Sequence, residues 1–185
     1  MGVSLSFLAI KGAAPADIHR ALGVTDTGIV SPEFEYPRPP VRGAVLPDGW
    51  YLVLLKDLCH CFILSDEILG RLSQGCEVIG CQVDEHEMYS TCFSFRDGAM
   101  RWEVEHDSNE DEDHLKVTGE PPAAFTGIAA RLRAKQAQRQ PGPVQVDYIF
   151  DVPLELAALC CGYRHDTRAD WGEPAFTILA EGKNP

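Results

Sequence analysis

Residues 3–10 alternate Val3, Leu5 and Phe7 with Ser4 and Ser6, the period-two pattern of a half-buried strand. "APADIHRALG" at 14–23 then predicts a short helix, with Pro15 in its first turn and Gly23 at its exit. Residues 24–42 keep no sustained period and carry four prolines between 32 and 40, which predicts a surface connection with polyproline character at 37–40. Residues 50–55 are apolar without a break, as in a strand covered on both faces, and "CHCFIL" at 59–64 continues or pairs with it. "SDEILGRLSQG" reads as a helix capped by Ser65, with Asp66 and Glu67 at the positive end of its dipole and Gly75 at the exit.

Three segments of strand character follow at 76–83, 88–95 and 99–106, and "HLKVTG" at 114–119 adds a fourth. The clearest helix is 122–139, where Phe125, Ile128, Ala129 and Leu132 recur at helical spacing before Pro141 and Gly142. The tail predicts a strand at 144–150, a short helix at 153–161 opened by Asp151 and Pro153, and a last strand near 175–180. Strands and helices do not alternate as in a doubly wound fold. The expectation is therefore α+β, a largely antiparallel twisted sheet with helices packed against it. With 185 residues it forms one globular domain, 1–185, carrying a proline-rich surface loop at 31–42.

Asp97-Gly98 is a two-residue turn signal, and it sets a register for the hairpin around it. Arg96 opposes Ala99, and stepping outward pairs Phe95 with Met100, Phe93 with Trp102, Thr91 with Val104 and Tyr89 with His106. This register puts all the large apolar side chains on one face and leaves the other largely wet. It also carries His106 to the end of the apolar face opposite Tyr89, with Glu87 and Glu85 just beyond.

Charge changes the picture more than composition does. Asp and Glu number 28 against 16 Lys and Arg, a net charge of −12, which disfavours nucleic acid and would draw in a basic partner. The acids are concentrated: Glu103, Glu105, Asp107, Glu110, Asp111, Glu112 and Asp113 form a run without Lys or Arg. From 121 to 146 the pattern inverts, with Arg131, Arg133, Lys135 and Arg139 and no acid. Seven scattered cysteines, an odd number, point to reduced thiols in a cytoplasmic protein, and the opening "MGVSLSFLAIKG" lacks the features of an export signal. No apolar run is long enough to span a membrane.

Two kinds of chemistry compete for the hairpin end. His106, Glu87 and Tyr89 are the residue types that acid–base catalysis needs, and His106 with Glu87 and Glu85 are candidate metal ligands. The plainer alternative is a solvated sheet end where His106 bonds a neighbour. Cys59-His60-Cys61 has too tight a spacing for a zinc site, and no glycine-rich phosphate loop or hydrolase motif is present, so no cofactor is expected. In size and charge the chain is similar to small inhibitory and immunity proteins. The leading expectation is a protein-binding module that docks a basic partner through the run 103–113. A metal-assisted or acid–base hydrolase at the hairpin mouth is the alternative, and a small-ligand module using the same pocket is the second.

Overall fold

The structure is a computed structural model that describes residues 2–31, 41–56, 63–140, 146–168, 170–172 and 174–181. Residues 32–40 of the predicted proline-rich loop and all of Cys59-His60-Cys61 lie outside the described residues. Described strands are β1 Ser4–Lys11, β2 Val24–Ser31, β3 Val41–Val45, β4 Trp50–Lys56, β5 Glu77–Asp84, β6 Tyr89–Arg96, β7 Ala99–Asp107, β8 Lys116–Gly119 and β9 Phe176–Glu181. They form a single antiparallel sheet in the order β2-β9-β3-β4-β1-β5-β6-β7-β8. The helices are α1 Pro15–Leu22, α2 Asp66–Leu72, α3 Ala124–Gln138 and α4 Asp151–Cys161. The fold is α+β, as the patterning predicts.

Helices cover both faces. Ile18 and Leu22 of α1 and Leu69 and Leu72 of α2 pack with Leu8, Ile10, Val53, Leu55, Val78, Phe93 and Phe95. On the other face Ala129 and Leu132 of α3 and Val152, Leu154, Leu156 and Ala157 of α4 pack with Phe7, Leu52, Leu54, Ile79, Cys92, Trp102 and Val104. Successive residues of β4 feed alternate clusters, which is why 50–55 reads as unbroken apolar sequence. The helical stripe on α3 holds as well, with Ala129 and Leu132 buried against the sheet.

The hairpin register is the main correction. Arg96–Ala99 and Phe95–Met100 pair as predicted, but Ser94 then pairs with Trp102, leaving Arg101 as an extra residue in β7. The bulged Arg101 offers its carbonyl to the amide of Glu120 past the end of β8, a bond of 3.3 Å. Beyond the bulge each partner moves by one: Cys92 faces Val104, Ser90 faces His106 and Tyr89 faces Asp107. A one-residue slip flips every side chain. Trp102 and Val104 therefore enter the α3/α4 core while Phe93 and Phe95 enter the α1/α2 core, and the predicted single wet face does not exist.

Two further predictions are corrected. Residues 24–31, read as loop, form the edge strand β2 paired with β9 from the far end of the chain. Residues 25–30 are exposed and interrupted by a bulge around Gly28, so no alternation marks the strand in sequence. Asp26 and Thr27 take up the amides of Gly28 and Ile29, which blunts that edge. The strand predicted at 144–150 is, over its described residues 146–150, a turn into α4: the Asp147 carboxylate accepts the amides of Ile149 and Phe150 at 2.9 and 3.3 Å.

Candidate functional site

The β5–β6 turn, the β7–β8 loop and the start of α4 meet at one end of the sheet. Asp84 organises the turn by accepting the amides of His86 and Glu87. Glu87 is exposed, and its carbonyl accepts from Ser108 and Asn109 of the β7–β8 loop. Glu85 points the other way: it bonds the amide of Val3 at 2.8 Å and lies 3.8 Å from His165 Nε2.

His106 lies on the α4-facing side of β7 and is fully buried. Its Nδ1 meets the carbonyl of His114 at 2.7 Å and its Nε2 meets the Asp147 carboxylate at 2.9 Å. Burial pulls the imidazole down, but the bonds to Asp147 and to His114 outweigh it and leave the pKa above the ordinary value. Burial pushes Asp147 up, and the His106 bond and charge with the two amide donors more than reverse that. The Phe150 ring stands edge-on to His106, and the Ser90 hydroxyl donates to the Phe150 carbonyl at 2.8 Å. His106 is thus a buried tie between β7, the loop and α4.

Tyr89 projects from the opposite face, since its neighbour Ser90 shares a face with His106. Its hydroxyl donates to Glu105 at 3.2 Å. His106, Tyr89 and Glu87 therefore do not converge. Among the described residues, no group of three or more His, Cys, Asp or Glu side chains is placed to hold a metal ion.

The carboxylates do share a face. Glu103, Glu105 and Asp107 alternate along β7 on the side away from α4, beside Tyr89, and Asp66 of α2 lies within electrostatic reach of Glu103. Glu103 is pushed above its ordinary value by burial and then by Glu105, with Lys116 opposing and Asp66 adding to the effect. Burial and the same carboxylates, Glu105 first, also hold Tyr89 well above its ordinary value. Lys116 reaches Glu105 at 3.5 Å, an exposed and weak pairing.

No protein-family model, curated protein or solved structure matches this chain.

The remaining acids of the run sit in the β7–β8 loop, with Glu110, Asp111, Glu112 and Asp113 exposed. Glu112 is tied to the basic helix, through its carboxylate to Arg139 and through its carbonyl to Gln136. With Asp113, Arg133, Gln136, Ala137 and Arg139 it lines a cleft of about 300 Å³. The Gln136 side chain is fixed at both ends, since its oxygen also accepts the amide of Tyr148.

Asp147, His114 and His165 lie outside the predicted site. Asp147 was hidden because "VDYIF" has strand composition, although an Asp before an apolar run is also a helix-entry signal. His165 follows Cys161 by four residues in the sequence, but Gly162 ends α4 between them, which leaves a Cys–His nucleophile pair little support. The His165 side chain is nearly enclosed, with neither ring nitrogen hydrogen-bonded among the described residues, and burial pulls its pKa down against the opposing pull of Asp166 and Glu85.

Proposed function

We propose that this chain is a protein-binding module whose acidic sheet face, built on Glu103, Glu105 and Asp107 with Tyr89 beside them, docks a basic protein. The observation that carries the reading is the crowding of like charge on a rigid strand. Glu103 holds its proton more tightly than a free glutamate because it is partly buried and, beyond that, because Glu105 stands beside it, with Lys116 opposing and Asp66 adding to the effect. A partner's Lys or Arg relieves that crowding at little ordering cost, because β7 is already fixed between β6 and β8. The exposed loop acids Glu110, Asp111 and Asp113 extend the field and raise the encounter rate, while Glu112 is engaged within the chain.

The hydrolase reading draws less support, since its three candidate side chains are divided between the two faces and the turn. A cytoplasmic setting fits the free thiols of Cys76, Cys81, Cys92, Cys160 and Cys161, and no helix among the described residues is long and apolar enough to cross a membrane.

The test is capture of partners at low salt by the wild-type chain and by the Glu103→Lys/Glu105→Lys variant. The reading expects basic proteins that bind the wild type, dissociate as salt rises, and are lost at least tenfold from the variant, since two reversed pairs cost upward of about 1.4 kcal/mol. Equal capture by both proteins would sink it.

A further inference from the structure

The hydrogen bonds around His106 and His114 constrain where their protons can sit. The Nδ1 atom of His106 faces a backbone carbonyl, which can accept but never donate. Its Nε2 faces Oδ2 of Asp147, whose other oxygen already accepts two amides as an ionised carboxylate does. With Asp147 held ionised by those two amides and by the bond to His106, both nitrogens of His106 carry hydrogen, and the buried ring is an imidazolium.

His114 is in the opposite state. Its Nδ1 receives the amide N–H of Asp107 at 2.9 Å, so that nitrogen is bare and the ring is neutral with its hydrogen on Nε2. The two rings lie 6.3 Å apart. Together they join the end of β7 to the far side of the acidic loop: His106 holds the His114 carbonyl, and His114 holds the Asp107 amide.

We infer that His106 and His114 form a protonation-coded latch on the acidic loop, closed when His106 is charged and His114 neutral, and opened by a proton on His114. That proton removes the acceptor for the Asp107 amide and places a second cation beside the His106 imidazolium. The groups around the latch are His106 and Asp107 from β7, Asp147 from the entry to α4, and Asp111, whose carbonyl accepts the His114 amide, with Glu112 tied to Gln136 of α3 and to Arg139 just past its end. Opening frees the loop acids from the register of β7, so regulation of partner docking rests on the acidic-face reading, while the latch itself does not.

The experiment reads the free protein: a long-range 1H–15N spectrum of the full chain labelled at histidine, followed from about pH 8 to about pH 5 with amide exchange. Near neutrality, His106 is expected with both nitrogens protonated and His114 as the Nε2–H tautomer. As His114 gains its second proton, exchange at the Asp107 amide, corrected for intrinsic pH dependence, is expected to rise roughly tenfold, the ratio one ordinary hydrogen bond sets. His114→Ala should exchange fast at Asp107 at every pH, and Asp147→Asn should return His106 to a neutral tautomer. A neutral His106 near neutrality, or Asp107 protection indifferent to the charge of His114, would overturn the inference. The wild-type titration decides this even where a variant fails to fold, and neither outcome touches the charge-reversal test of the acidic face.

Discussion

At the scale of single residues, His106 and Gly80 carry the sharpest consequences. Truncating His106 leaves the Asp147 carboxylate against an empty, buried site and the His114 carbonyl without its donor. His106→Ala is expected to cost about 3–5 kcal/mol, the range for breaking one side of a buried ion pair, measured by urea unfolding. A loss below 1 kcal/mol would mean the tie is slack. Gly80 lies under the ring of Phe93, its partner across β5 and β6, and a Cβ there would stand 2.1 Å from the ring. Gly80→Ala must push Phe93 out of its packed position, at about 1–3 kcal/mol in the same assay. The sequence showed neither fact. A lone glycine between Ile79 and Cys81 looks like any weak point in a strand, and its meaning comes from an aromatic thirteen residues away. His106 is chemically notable in the sequence, but its partners come from a loop and from a turn with the composition of a strand.

At the scale of elements, what periodicity alone decides was legible. The segments that became α2, α3 and α4, the continuous apolar β4 and the turn at Asp97-Gly98 all follow from spacing and capping. What failed depends on partners remote in sequence. The bulge at Arg101 depends on β8, and β2 exists as a strand because β9, some 150 residues later, pairs with it. The bulge had the larger effect, since it moved His106 off the Tyr89 face and dissolved the predicted catalytic cluster. On α3 a simpler rule applies. Gly127 lies in the helix interior with open space where a Cβ would go, so Gly127→Ala is expected to stabilise the protein by about 0.5–1 kcal/mol, read as a raised unfolding midpoint. No gain would show that α3 is held by its buried stripe alone.

At the scale of the whole molecule, His106 and His165, at this end of the sheet, are shifted in opposite directions. The folded pKa of His106 is above 6.5, so its stabilisation is complete below that value and fades as the pH rises through the folded pKa. The folded pKa of His165 is below 6.5, so the native state gives up stability as the pH falls from 6.5 toward that lower value. Asp147, held below 3.8, adds a loss at still lower pH as it is protonated. Stability measured by urea unfolding is therefore expected to peak near pH 6.5 and fall on both sides. A profile rising steadily from acid to alkaline pH would show that His106 is not held charged.

The net charge of −12 was plain in the sequence, but its arrangement was not. Of the seven acids from 103 to 113, three share one face of β7, one is bound to Arg139, and three line an exposed loop. Docking through the strand requires that its carboxylates repel one another until a partner neutralises them. The difference between the Glu103 carboxyl titrations of the free protein and of Glu105→Gln, followed by 13C NMR, separates that repulsion from the effect of burial. The account predicts a Glu103 midpoint above 4.5 in the wild type and a move back toward 4.5 once Glu105 is neutral. A midpoint at or below 4.5 in the wild type would contradict it, because the face would then already be neutralised by the chain's own cations.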